Sequence, residues 1–168
     1  MWLLTCRGAE GRGLQWKFID FRRNIIHFEQ IVKTKRNQKG QNYRLEMPKN
    51  NNSRKTIPMY KDLRNILEQI YIMDSIKKDF DEDKFVFGYS KPIPETTQKR
   101  KFEYYLKLNN FPHIKIHGLK HSCITYLASV GVPISDIANY VGETIEVLQR
   151  VYVHAFSNHK DKILSAFD

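Results

Sequence analysis

The chain has 168 residues, 41% of them hydrophobic, with a formal net charge of +10 and an isoelectric point near 9.6. That length and composition suit one domain with a real core and exclude a disordered tail. The basic balance favours a polyanionic partner, nucleic acid first among them, and no apolar run approaches a membrane span.

Cys6 and Cys123 lie in apolar settings without disulfide or metal-ligand spacing, and read as reduced core thiols of a cytosolic protein. The opening Met1–Cys6 is apolar but too short for a signal peptide. It reads as the end of a core element, with the chain starting partway into a larger domain.

After Glu10–Trp16 the pattern predicts short strands: Ile25, Ile26 and Phe28 in one, Tyr43–Met47 and Lys55–Pro58 in two more. Lys49-Asn50-Asn51-Asn52-Ser53 separates the last two. Its asparagines tolerate left-handed geometry, so an antiparallel hairpin is expected there. The basic stretch Lys33–Lys39 reads as a solvated loop. From Tyr60 the chain turns helical, with Leu63, Ile66, Leu67, Ile70 and Tyr71 on one apolar face. Asp79–Asp83 is an acidic loop, and Phe85-Val86-Phe87 a short buried extended piece. Pro94, Thr96 and Thr97 start another helix, which Asn109, Asn110 and Pro112 end. Leu119, Cys123, Tyr126, Leu127 and Val130 make the next apolar face, with Gly131 as its stop. Pro133 opens a short helix that Gly142 closes. Thr144 caps a helix carrying Leu148, Val151 and Tyr152, and Ser157 a last one with Ile163, Leu164 and Phe167. Strands first and helices afterwards predict an α+β fold.

Residues suited to phosphate recur at the edges of these elements. Arg7 precedes the first helix, Lys49 enters the hairpin turn, His117 and Lys120 open a helix, and Tyr152 lies late in another, with His154 after it. Taken singly each has an ordinary explanation: a packed tyrosine, a structural histidine, a solvated lysine. Their order and context carry more. Arg7-Gly8-Ala9-Glu10, then Leu14-Gln15-Trp16 and Ile19-Asp20-Phe21, resembles the arginine box of tyrosine recombinases of the phage-integrase type. Pro48-Lys49 with Ser53-Arg54-Lys55-Thr56-Ile57-Pro58-Met59 is similar to that family's lysine hairpin. His117-Gly118-Leu119-Lys120-His121-Ser122 resembles its His-x-Leu-Arg-His-Ser box, and Val141-Gly142 through Tyr152-Val153-His154 its nucleophile box. The four boxes stand in family order and span nearly the whole chain.

The resemblance implies the family's catalytic-domain fold over residues 1–168, mainly helical with a small antiparallel three-stranded sheet, lacking an N-terminal DNA-clamping domain. It implies site-specific cleavage and rejoining of double-stranded DNA at attachment sites, through a 3′-phosphotyrosyl link that conserves bond energy. Carried over, Tyr152 is the nucleophile. Its phenol, with an ordinary pKa of about 10, needs a cationic neighbourhood to ionise. Arg7 clamps non-bridging phosphate oxygens. Lys49 protonates the leaving 5′-oxygen, and His117 assists proton transfer or holds the phosphate. Lys120 and Glu143 complete the catalytic set, with Arg54, Lys55 and His121 as DNA contacts. No cofactor, metal or small-molecule substrate is implied. The protein is expected to be cytoplasmic, bacterial or phage-encoded and nucleoid-associated when acting. It is expected to assemble as a homo-oligomer, a tetramer, on DNA, its tail from Ser157 packing on a neighbouring protomer.

This chain departs from the family pattern at four places. Thr5 stands for a glycine, Ala9 for another, Lys120 for the second arginine, and Glu143 for the usual histidine or tryptophan. Lysine keeps the charge but loses the planar fork. A carboxylate near a scissile phosphate repels it unless paired, and Lys120 is the expected partner. One alternative is therefore a catalytically impaired remnant that only binds DNA. A second is a helix-turn-helix regulator built from Ile134–Thr144 and a recognition helix over Ile145–Tyr152. A third is an RNA-binding domain, which the charge allows but no stacking-aromatic motif supports.

Overall fold

In the computed structural model, which describes residues 4–34, 43–47 and 55–156, a short helix and then five short strands precede the longer helices. The strands are β1 (Ile19–Asp20), β2 (Ile25–Phe28), β3 (Ile31–Thr34), β4 (Tyr43–Glu46) and β5 (Lys55–Pro58). A tight turn joins β1 to β2. Asp20 Oδ1 accepts from the Arg23 amide at 2.8 Å, and Asn24 takes a left-handed φ of 60°. An antiparallel three-stranded sheet runs in the order β1-β2-β5, with Ile26 opposite Ile57, both fully buried. Side chains alternate faces along β5, so Lys55 points inward with Ile57 while Thr56 and Pro58 point outward.

The expected three-stranded sheet is present, but the hairpin between Tyr43–Met47 and Lys55–Pro58 is not. β4 pairs with β3, with Ile31 opposite Glu46 and Thr34 opposite Tyr43, so β4 and β5 lie in separate sheets. Buried Val32 gives β3 an apolar anchor, and Lys33 pairs with Glu46 across the two strands. Lys33 and Thr34 thus belong to a strand, not to a loop. Phe85 and Val86 are buried as expected, but Phe85-Val86-Phe87 turns instead of running extended: Phe85 pairs with Gln15 and with Tyr89, closing a turn whose Gly88 has a φ of 124°.

The helices are α1 (Gly8–Arg12), α2 (Lys61–Ser75), α3 (Glu95–Leu108), α4 (Ile116–Ser129), α5 (Ile134–Val141) and α6 (Ile145–Phe156). Pro94 and Pro133 stand at the N-caps of α3 and α5, as expected. None of the described helices is long and apolar enough to cross a membrane. The buried stripes differ from the expected ones in detail. Leu63 and Leu67 are buried on α2, whereas Ile66 is exposed. On α4 the buried face is Lys120, Cys123, Ile124 and Ala128, while Tyr126 and Val130 face outward. Ile124 and Ala128, one turn apart, meet α5 and α6, and that contact sets the rotation of the helix. On α6, Leu148 and Tyr152 are buried and Val151 is exposed. The expected helix from Ser157 lies outside the described residues.

Two cores result. One joins the sheet to α2 through Leu4, Leu14, Trp16, Ile26, Phe28, Ile57, Met59 and Leu67. The other joins α4, α5 and α6 through Ile124, Ala128, Ile137, Val141, Leu148 and Tyr152, and Tyr140 packs against both. Cys6 and Cys123 are buried free thiols.

Candidate active site

The predicted site residues that lie among the described ones gather at the seam between the two cores. Arg7 is the N-cap of α1, with extended backbone, and the Glu10 carboxylate at the third helical position folds back onto it. Glu10 Oε2 accepts from the Arg7 amide at 2.8 Å, and Oε1 from Arg7 Nη1 at 3.0 Å. Glu10 is buried, so the guanidinium is fixed by one edge. Its other nitrogen, Nη2, donates to Glu143 Oε1 at 2.5 Å.

From the helical side, Lys120 brings an ammonium that is only 4% exposed. Its Nζ donates to the Val141 carbonyl at 3.0 Å and to Glu143 Oε1 at 2.6 Å. Arg7 and Lys120 therefore converge on one carboxylate oxygen. Gly142 makes this possible. It ends α5 in the left-handed region, φ 66° and ψ 46°, and the Glu143 amide closes back onto the Ala138 carbonyl at 3.1 Å. The reversal turns Glu143 toward α1 and α4. Burial pushes the Glu143 carboxyl up, but the hydrogen bond and charge of Lys120, with Arg7 and Lys55, outweigh it and leave the group below its ordinary value.

Lys55 braces the seam from the sheet. Its Nζ donates to the Thr5 carbonyl at 2.6 Å and to the Val141 carbonyl and Thr5 Oγ1, each at 3.3 Å. Burial pulls its pKa from 10.5 down to about 8, despite the opposing charges of Glu10 and Cys6. Thr5 itself sits at φ 45°, a strained conformation for a β-branched residue and the reason a glycine suits this place.

The tyrosine completes the cluster. Tyr152 interrupts α6 with non-helical φ/ψ of −120° and 19°, and its ring is almost wholly buried. Its hydroxyl is hydrogen-bonded to His121 Nδ1. The His121 ring in turn meets the His117 ring edge to face, centroids 4.6 Å apart, as expected for positions one turn apart on α4. Burial, with the Glu143 charge, pushes the phenol up to about 12. Burial also lowers His121 below its ordinary 6.5, helped by His117 and Lys120 and opposed by Glu143. His117 is exposed, beside a cleft of about 590 Å³ rimmed by Arg12, Lys99, His113 and Lys115.

Of the predicted catalytic residues, Arg7 and Lys120 both contact Glu143, while Tyr152 and His117 meet through His121, which follows Lys120 on α4. Lys49 and Arg54 lie outside the described residues. Two expected DNA contacts are placed otherwise. Lys55 is buried behind the site with its ammonium on backbone carbonyls, because it shares the inward face of β5 with Ile57. His121 holds the tyrosine hydroxyl. Two further groups hold the site: Glu10, present in the arginine box with a spacing of three from Arg7 but given no role there, and the Val141 carbonyl, for which the sequence carries no signal.

The family model described as phage integrase family matches residues 2–159. A protein of Caldanaerobacter subterraneus subsp. tengcongensis named tyrosine recombinase XerC-like is 25% identical over 174 residues, covering 92% of this chain and 44% of that protein. The ICEBs1 integrase of Bacillus subtilis is 25% identical over 173 residues, covering 99% of this chain and 46% of that one. The chain thus spans a little under half the length of these relatives. Among solved structures, the Tn1549 transposon integrase in complex with circular intermediate DNA matches with a TM-score of 0.79 at 20% identity, covering 99% of this chain and 57% of that one. The XerA recombinase matches at 0.65 and 17% identity, covering 98% and 53%. At such identities these likenesses establish the fold.

Proposed function

The chain belongs to the phage integrase family, and we propose that it cuts and rejoins double-stranded DNA at specific sites through a 3′-phosphotyrosyl link to Tyr152. One observation carries this reading: Arg7 Nη2 and Lys120 Nζ converge on a single oxyanion, Glu143 Oε1, whose charge also acts on the Tyr152 phenol. Two cationic donors aimed at one oxygen position are what a pentacovalent phosphate requires. Arg7 and Lys120 hold the non-bridging oxygens, Tyr152 attacks phosphorus, and Lys49 protonates the departing 5′-oxygen. Exposed Lys99, Lys115 and His117 meet the flanking backbone, and the working unit on DNA is a tetramer. The DNA bound in the Tn1549 integrase structure supports this choice of partner.

The test is a suicide-substrate assay. Nicked duplexes tiled across the DNA flanking the gene are incubated with the protein and resolved on a denaturing gel. A covalent protein–DNA band, absent in Tyr152→Phe, is expected. A second reading, a remnant that binds DNA without cutting it, is favoured by Glu143, whose carboxylate already occupies the two cations. Salt-sensitive binding with no band from any duplex would support the remnant and refute the enzyme.

A further inference from the structure

Resting on the reading of Tyr152 as nucleophile, we infer that His121, not His117, is the catalytic base that takes the phenolic proton. The family resemblance implies His117 for proton transfer. Geometry favours the histidine one turn later. His121 Nδ1 is hydrogen-bonded to the Tyr152 hydroxyl, whereas His117 touches the His121 ring edge to face and is itself exposed. The two rings of the Tyr152–His121 pair lie with centroids 5.5 Å apart, tilted by 39°. The hydroxyl is thus held from the imidazole side.

The chemistry needs such a base. A phenol pushed up to about 12 is ionised in only roughly one molecule in 10⁵ at pH 7, so the proton must leave as the bond forms. A histidine lowered below its ordinary value is neutral there, and its Nδ1 is free to accept while Nε2 keeps the ring proton. The groups that face His121 are His117 and Lys120 on its own helix, Glu143 on the turn after α5, and Tyr152 on α6. In the step, Tyr152 Oη bonds to phosphorus and the P–O5′ bond breaks. The phenolic proton moves to His121 Nδ1, and the 5′-oxygen takes a proton from an acid, the role assigned to Lys49, or from water. In rejoining, the attacking 5′-hydroxyl gives up its proton on that side and His121 returns its own to the departing tyrosine.

Single-turnover cleavage of the nicked duplex by the full chain tests this, with His121→Ala and His121→Asn and a second substrate bearing sulfur at the bridging 5′ position. Sulfur leaves without an acid, so loss of a base persists on it and loss of an acid does not. Both variants are expected to slow phosphotyrosyl formation ~10²–10⁴-fold on both substrates. Asparagine can accept the hydrogen bond but not the proton, so it should fail like alanine, whereas added imidazole should partly restore His121→Ala. The wild-type rate should fall as pH drops below 6.5, a limb that the variants lose. Cleavage within threefold of wild type, rescue by asparagine, or rescue by the sulfur leaving group would overturn the inference and leave the recombinase reading intact. In the free protein, the ¹⁵N spectrum of His121 should show Nδ1 unprotonated at pH 7.5, and a protonated Nδ1 refutes the assignment without any cleavage. No covalent product from the wild-type chain would overturn both readings together.

Discussion

Replacing Glu143 separates its structural role from its effect on DNA. Lys120 is almost wholly buried and has two acceptors, the Val141 carbonyl at 3.0 Å and Glu143 at 2.6 Å. Two unit charges about 3 Å apart attract by ~5 kcal/mol at an effective dielectric of about 20, before desolvation is subtracted. The Arg7 side chain is 40% exposed, so its share is largely screened. Stripping the partner from a buried charge typically costs ~3–5 kcal/mol. Lys120 keeps one carbonyl and the site opens to solvent on the Arg7 side, so Glu143→Ala belongs at the lower end, ~3 kcal/mol. For a domain of this size that is a fall in Tm of ~6–12 °C. Glutamine retains an acceptor oxygen and should cost about half as much. DNA binding should move the opposite way, because Arg7 and Lys120 no longer hold an internal oxyanion: about tenfold tighter in Glu143→Gln, or ~1.4 kcal/mol.

Thermal melts and fluorescence anisotropy on a labelled duplex at fixed salt read the two effects. Acid supplies an independent check of sign. The folded-state pKa of Glu143 lies below its ordinary 4.5, so its contribution is complete above that value and is lost as pH falls through the folded one. The gap in Tm between wild type and Glu143→Gln should therefore be full at pH 7 and close below pH 4.5. A Glu143→Ala protein melting within 1 °C of wild type at pH 7, or a gap that widens in acid, would refute the reasoning.

Three further outcomes follow from the seam. The Lys55 pKa falls from 10.5 to about 8 on folding, so between those values the unfolded chain holds more protons and stability rises with pH; the Tm of wild type relative to Lys55→Met should climb from pH 8 to 10, and a flat difference contradicts it. Thr5 carries a φ of 45°, so Thr5→Gly should melt within ~2 °C of wild type, its lost hydroxyl contact offset by relief of ~1–2 kcal/mol of strain, whereas Thr5→Ala keeps the strain and should melt lower than glycine. Gly142→Ala forces a side chain into the left-handed cap, at a cost of ~1–2 kcal/mol seen as a lower denaturant midpoint with unchanged slope; an unchanged midpoint would mean that Gly142 does not need its φ of 66°.

Punctuation made the helical half legible, because Pro94, Pro133 and Gly142 act locally and their neighbours cannot overrule them. Strand pairing is not local. Nothing in Tyr43–Glu46 states whether β3 or β5 will be its neighbour: the asparagine run before Lys55 points to β5, and the chain pairs it with Ile31–Thr34 instead. Lys55 was legible and misread: its alternation with Ile57 placed it inward, but its charge argued for the surface. The same conflict turned the face of α4. An apolar stripe through Cys123, Ile124 and Ala128 has to include Lys120, and a lysine in a stripe is rejected until its partners are known. Those partners, Val141 O and Glu143, come from more than twenty residues away and depend on the reversal at Gly142. Local rules fail where a site is built, and here they fail at the residues that bind one another. The two departures in this cluster are thereby joined. A buried ammonium has three donors, and Lys120 directs two of them to Val141 O and Glu143. A guanidinium at the same place would bring a larger head with five donors into a pocket that supplies two acceptors. Lysine at position 120 and glutamate at position 143 are one arrangement, in which the carboxylate permits the buried cation; on the proposed reading it would also compete with the scissile phosphate for that cation.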